Sequence, residues 1–278
     1  MARVIIAGCG YVGCALAERL IARGHEVWGI RRTIAQLPGG IRGIAADLAQ
    51  PLRPDALPAA PEYLVFTAGA SGHTESAYRQ AYIGGLRNLL DAVDRSRLKR
   101  VLFTSSTAVY AQDDGEWVDE DSPTAPVQFA GRIMLESESL VAACGIPSVA
   151  LRLGGIYGPG RTRLIDSVRE GTARIDEDAP RYLNLNHRDD CAGALEHLMF
   201  LDGPQPLYLG SDPNPEDRAV ILRWIADRLG VPHPPGDPAA MSRGGNKRCS
   251  SRRLVESGYT FQWPSFREGY GNLIGTSP

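Results

Sequence analysis

Three glycines at G-x-G-x-x-G spacing, Gly8-Cys9-Gly10-Tyr11-Val12-Gly13, stand between a β-branched run, Arg3 to Ala7, and a stretch to Arg23 with helical apolar spacing. Gly24 stops that helix, and Glu26 to Ile30 makes a second strand. In a strand–turn–helix–strand context the motif points to diphosphate binding. The first glycine permits the tight turn, the second lets a pyrophosphate approach the backbone, and the third lets helix and strand pack closely. Free N–H groups and the positive end of the helix dipole then face the phosphates. Gly8, Cys9, Gly10, Tyr11, Val12 and Gly13 are therefore the expected cradle of a dinucleotide.

The end of the second strand selects among dinucleotides. An acid there would accept ribose hydroxyls, about 20 residues past the motif. The chain instead has Arg31-Arg32-Thr33, with Arg31 eighteen positions after Gly13. Two guanidiniums and a hydroxyl suit a 2′-phosphate through charge-assisted bonds. NADP(H) is the expected cofactor and NAD(H) the alternative, in which these arginines are merely solvated.

Further strands follow at 41–45, 62–66, 100–103, 147–151 and 206–209, with helices at 74–94, 126–143, 189–201 and 216–229. Alternation of this kind predicts an α/β, Rossmann-type doubly wound parallel sheet with a small C-terminal substrate lobe. The expected division is residues 1–155 for dinucleotide binding and 156–278 for completing the fold and forming the lobe. The segment 230–248 reads as loop. Ligands in such sheets lie beyond the carboxyl ends of the strands. Asp47, Leu48, Thr67, Ala68, Gly69 and Thr104 join the expected cofactor-binding set on that ground.

Composition excludes several classes. Among 278 residues, 30 Lys+Arg against 32 Asp+Glu leave a net charge of −2, which gives no basic field for nucleic acid. Apolar runs are too short to span a membrane, and the first residues lack a secretory signal. Five cysteines without a CxxC pair read as reduced thiols of a cytoplasmic protein. No metal is expected, since His and Cys lack ligand spacing.

Four more stretches resemble the extended short-chain dehydrogenase/reductases of the NAD-dependent epimerase/dehydratase family, over essentially the whole chain. They are Phe103 to Tyr110, Arg152 to Gly160 (RLGGIYGPG), His187 to Ala192, and Asn246 to Tyr270. The resemblance puts Ser106 at the catalytic Ser/Thr position. It also implies a Tyr and, four residues on, a Lys: the first moves the proton, while the second lowers its pKa and holds the nicotinamide ribose. Here Ala130 and Met134 stand in those places, or Phe129 and Ile133 one register earlier. Neither pair donates a proton. An Asn of the middle helix is likewise replaced near Tyr82. The chain thus resembles the atypical branch of the family, which keeps fold and glycine motif without the usual active-site set.

Ser106, His73 and Tyr157 are the candidates for the missing chemistry. Ser106 binds a substrate oxygen or caps local backbone. His73 is a replacement acid, as an imidazole, or an exposed loop residue. Tyr157 lines the substrate lobe, and Tyr110 packs under the cofactor loop. Glu136 and Glu138 read as surface or ion-pair carboxylates, and Met134 as core. Arg161 and Arg163 are candidate ligands of an anionic, nucleotide-sugar-like substrate, as the resemblance implies for this lobe. Three functions stay open: an NADP(H)-dependent oxidoreductase or epimerase-like enzyme, a non-catalytic dinucleotide-binding redox sensor, and a lyase or isomerase that uses no net redox chemistry. The resemblance also implies a homodimer built on helices 74–94 and 126–143.

Overall fold

The computed structural model describes residues 1–177, 179–237 and 245–275. The chain divides into two units that interleave along the sequence. The first takes residues 1–109, 125–152 and 192–208, and the second takes 110–124, 153–191 and 209–278. The parallel sheet takes its last helix and strand from late in the chain, while a loop emerging from its middle joins the other unit.

The first unit is a doubly wound α/β layer. Its elements begin with β1 (Arg3–Ala7), α1 (Tyr11–Ala22), β2 (Glu26–Arg31), β3 (Arg42–Ala45) and β4 (Tyr63–Phe66). Next come α2 (Glu75–Tyr78), a π-helical segment (Arg79–Gly84), α3 (Gly85–Ala92) and β5 (Arg100–Ser106). After β6 (Trp117–Val118), which belongs to the second unit, follow α4 (Phe129–Ala142) and β7 (Ser148–Leu153). Helix α6 (Arg188–Phe200) and strand β11 (Leu207–Gly210) are shared at the boundary. Among the described residues the sheet has seven strands in the order β11-β7-β5-β4-β1-β2-β3. The β1–β2, β1–β4, β2–β3 and β4–β5 pairs are all parallel. Strand order reverses between β1 and β4, and the crevice at such a switch point is where dinucleotides bind.

The expected helix over 74–94 is three pieces, because one extra residue per turn at 79–84 widens the coil. Such π segments occur frequently at functional sites. Ile5, Ile6, Leu64, Val65 and Phe103 are fully buried, as expected of parallel strands covered on both faces.

The second unit is built from short elements: β8 (Gly155–Tyr157), α5 (Arg163–Arg169), β9 (Tyr182–Leu183), β10 (Leu185–His187) and β12 (Glu216–Asp217). Helix α7 (Arg218–Leu229), strand β13 (Arg248–Cys249), and helices α8 (Arg252–Glu256) and α9 (Phe266–Gly275) complete it. Tyr157, Ile165, Leu222, Ile225, Phe266 and Tyr270 centre its core. The segment expected as loop over 230–248 does end in a strand, β13. Its residues 238–244 lie outside those described.

Candidate dinucleotide and proton-transfer site

Each glycine of the loop has a distinct setting. Gly8 has φ +77, and a Cβ there would overlap the backbone of Ala68. A Cβ on Gly13 would lie 2.8 Å from the Thr67 hydroxyl and 3.0 Å from an Ile6 methyl. Gly10 meets only the Gly8 carbonyl, at 3.6 Å, so its outer side is open. The Gly8 and Cys9 amides both bond the Ile30 carbonyl at 3.0 Å, which ties the loop to β2. Gly10 is the N-cap of α1, where no side chain caps the helix and no acid sits in the first turn. Two glycines are locked by packing and the third presents open backbone at a helix start: a dinucleotide's diphosphate fits this loop.

The neighbouring strand ends have more varied roles. The Thr67 hydroxyl donates to the Gly8 carbonyl at 3.0 Å, so Thr67 holds the loop from beneath. The Thr104 hydroxyl donates to the Phe66 carbonyl at 3.0 Å and stitches β5 to β4. Ala68 is the surface on which Gly8 closes, and Gly69 follows it. Asp47 is exposed and accepts the Ala49 amide at 3.0 Å, while the Leu48 carbonyl takes the Asn88 side-chain amide at 2.9 Å. Arg31 ends β2 and bonds the Gln36 amide oxygen at 2.9 Å, with Arg32 and Thr33 exposed after it.

The start of α4 is where proton chemistry was expected. A Cβ on Gly131 would overlap the Ala108 carbonyl oxygen, so this helix start is pressed against the turn after β5. Ala130 precedes that glycine, and Met134 is 3% exposed in the core. Ser106 ends β5, and its Oγ accepts the Ala108 amide at 3.2 Å. That bond uses a lone pair and leaves the hydroxyl proton free to be donated. His73 is exposed but packs its ring 5.3 Å from Phe129, the first residue of α4, and 5.6 Å from Tyr78.

Sequence reasoning missed two features here. Tyr82, within the π segment, has its hydroxyl 3.9 Å from where a Gly69 Cβ would stand. Burial raises its phenol above the ordinary tyrosine value, partly countered by a hydrogen bond from the Ala70 backbone. Glu138 of α4 takes a bidentate grip from Arg152, at 2.9 and 2.8 Å, and accepts the Ser105 hydroxyl at 2.5 Å. The expectation of an ion pair at Glu138 gave no hint of a partner 14 residues on that is only 5% exposed.

In the second unit Tyr157 is a packing residue. It is 3% exposed, its hydroxyl finds no hydrogen-bond partner among the described residues, and a Cβ on Gly269 would overlap that hydroxyl. Burial drives its phenol far up from the ordinary tyrosine value. Tyr110 also lies in this unit, is buried and donates to the Asp119 carbonyl at 2.7 Å. Arg161 and Arg163 are exposed at the turn into α5. Burial, followed by the like charge of Arg163, lowers the Arg218 guanidinium, so a further cation stands near Arg163.

A model of the NAD dependent epimerase/dehydratase family matches residues 4–181. The chain belongs to the NAD-dependent epimerase/dehydratase family. Across 278 aligned positions it is 32% identical to Protein YeeZ of Escherichia coli (strain K12), covering 95% of this chain and 97% of that one. A solved structure of a candidate NAD-dependent epimerase/dehydratase from Methylobacillus flagellatus superposes with TM-score 0.82 at 39% identity, covering 99% and 98% of the two chains. The human epimerase family protein SDR39U1, solved with NADPH, shares the fold at TM-score 0.79 and 22% identity, covering 99% and 100%. Solved neighbours of this fold hold NAD in some cases and NADPH in others, in keeping with a nicotinamide dinucleotide as the family's cofactor. No helix among the described residues is long and apolar enough to cross a membrane.

Proposed function

We propose that the protein is an NADP(H)-dependent oxidoreductase of the epimerase type, acting on a small polar or nucleotide-sugar-like substrate with a nonstandard proton donor. One observation carries the reading: the glycine loop is open only at Gly10, and β2 beside it ends in Arg31 with no carboxylate. Backbone amides at the start of α1 hold the diphosphate, while Arg31, Arg32 and Thr33 hold a 2′-phosphate that an acid would repel. A bound nicotinamide supplies or accepts hydride. The Ser106 hydroxyl orients a substrate oxygen with its free proton. His73, whose ring lies against the first residue of α4, exchanges a proton where the family's tyrosine is missing. The cations Arg161, Arg163 and Arg218 favour an anionic group on the substrate. The five cysteines are free, which suits a cytoplasmic protein. A homodimer through α3 and α4 is part of the proposal, and light scattering would report twice 30.0 kDa.

Calorimetric titration with NADPH and NADH tests the cofactor, and equal affinity or tighter NADH would overturn NADP(H). Incubation with NADPH and a panel of carbonyl compounds tests the chemistry. Consumption is expected, and His73→Ala and Ser106→Ala should each reduce it. The buried Met134 at the expected lysine position favours a second reading, a dinucleotide-responsive protein without turnover. Tight binding with no consumption across the panel would establish that one.

A further inference from the structure

Two thiols flank the turn that the dinucleotide is expected to occupy. With Gly10 as N-cap, Cys9 is the residue before the cap and Cys14 the fourth of the helix, two positions whose side chains meet across a helix start. Their Sγ atoms are 4.0 Å apart, and the Cys14 thiol also points at the Cys9 carbonyl, at 3.5 Å. Cys9 is fully buried against β2, where a Cβ on Gly29 would come within 2.9 Å of its sulfur. Cys14 is half-buried and so reachable from solvent.

The surroundings divide labour between them. A hydrogen bond from Cys9 and the charge of Arg31 bring the Cys14 thiol down to about 7 against the opposing effect of burial. That same hydrogen bond and burial push Cys9 up. Of the pair, Cys14 is thus the sulfur that ionises more readily, and Cys9 the one that keeps its proton beside it.

We propose that Cys14 is a hydroperoxide-reactive site and Cys9 its resolving partner, closing a disulfide across the first turn of α1. The Cys14 thiolate attacks the terminal oxygen of a hydroperoxide. An S–O bond forms, the O–O bond breaks, and the leaving oxygen takes a proton to become water or alcohol. The Cys9 sulfur then attacks the sulfenic sulfur, forming S–S and breaking S–O. The hydroxide expelled leaves as water with the Cys9 proton. Two thiols lose two electrons in all, and one peroxide is reduced. Closing 4.0 Å to the roughly 2.05 Å of a disulfide moves the loop that must stay in register with Ala68 and the diphosphate. Oxidation therefore weakens dinucleotide binding, a consequence that rests on the proposed function, whereas the disulfide itself does not.

The test uses the full chain, reduced, freed of reductant and titrated with hydrogen peroxide. Peptide mass mapping without reduction should show loss of two hydrogens confined to the peptide carrying Cys9 and Cys14, while Cys144, Cys191 and Cys249 remain thiols. Cys9→Ser should stop at a sulfenic acid trapped by dimedone at Cys14, and Cys14→Ser should give neither product. Iodoacetamide labelling of Cys14 should rise with pH about a midpoint near 7, and Arg31→Ala should move the midpoint up. Oxidation that strikes Cys144 first, or a Cys9→Ser protein without a dimedone adduct, would overturn the proposal. NADPH binding at least ten-fold weaker after oxidation, and restored by dithiothreitol, supports the link to the cofactor. Equal affinity of both forms overturns that link, while a reduced protein that binds no dinucleotide overturns the functional reading and leaves the thiol result intact.

Discussion

Helices α1 and α4 begin alike and differ in what they still offer. Each has no side-chain cap and no acid in its first turn, and each has a glycine as its third residue, Gly13 and Gly131. Each glycine lets the helix start press against a neighbouring strand or the turn that follows it. Each helix is also tied by a largely buried glutamate. Glu196, 3% exposed, bonds Arg19 and Arg23 of α1, while Glu138 of α4 grips Arg152. At α1 this scaffolding still presents open backbone at Gly10. At α4 the same scaffolding presents Ala130 and buried Met134, with no proton to give. Packing constraints and chemical groups are separable: the close approach at α4 persists although the residues it would aim are gone.

The largest effect expected is at the tie of α4. Glu138→Ala removes the carboxylate from a guanidinium only 5% exposed and should cost about 3–5 kcal/mol, read by urea unfolding. Loss of less than 1 kcal/mol, the scale of exposed pairs, would show that the tie is ornamental. Next comes Gly131→Ala, whose new methyl overlaps a backbone oxygen that cannot rotate away, for a loss of about 2–3 kcal/mol. Arg31→Ala should weaken NADPH roughly tenfold, about 1.4 kcal/mol, with NADH changed little in parallel titrations. Gly13→Ala is expected to be smallest. Its two nearest contacts, the Thr67 hydroxyl at 2.8 Å and an Ile6 methyl at 3.0 Å, are side-chain groups, the one backbone contact, the Gly8 carbonyl at 3.2 Å, is far looser than that at Gly131, and alanine regains up to about 1 kcal/mol of helix propensity. A net loss under 1 kcal/mol with dinucleotide binding retained would confirm that the two helix starts differ in rigidity. The reverse order for the two glycines would break the comparison.

The parts readable from sequence are those whose causes are local. The glycine spacing and the strand–helix alternation fixed the parallel sheet within a residue or two at most ends, because burial on both faces demands continuous apolar runs. The π segment at 79–84 escaped, since one inserted residue barely disturbs an apolar pattern over twenty positions. Partnerships across the fold escaped as well. Nothing near Glu138 names Arg152, and nothing near Tyr157 announces that Gly269 leaves room for its ring. Thr67 follows the end of β4 as expected, whereas Thr104 lies inside β5, which runs three residues past its expected end; the hydroxyls of both serve neighbouring carbonyls, a choice made by backbone geometry that sequence does not display.

The alternation of segments between the two units carries a practical lesson for anyone wishing to exchange specificity between relatives. The peptide passes from one unit to the other at five junctions, after residues 109, 124, 152, 191 and 208. A fragment ending near 155 would be deprived of Glu196, to which Arg19 and Arg23 are bonded. Exchanging the second unit for a foreign one therefore means splicing several stretches at once, and point changes are a simpler route to altering it than fusing halves.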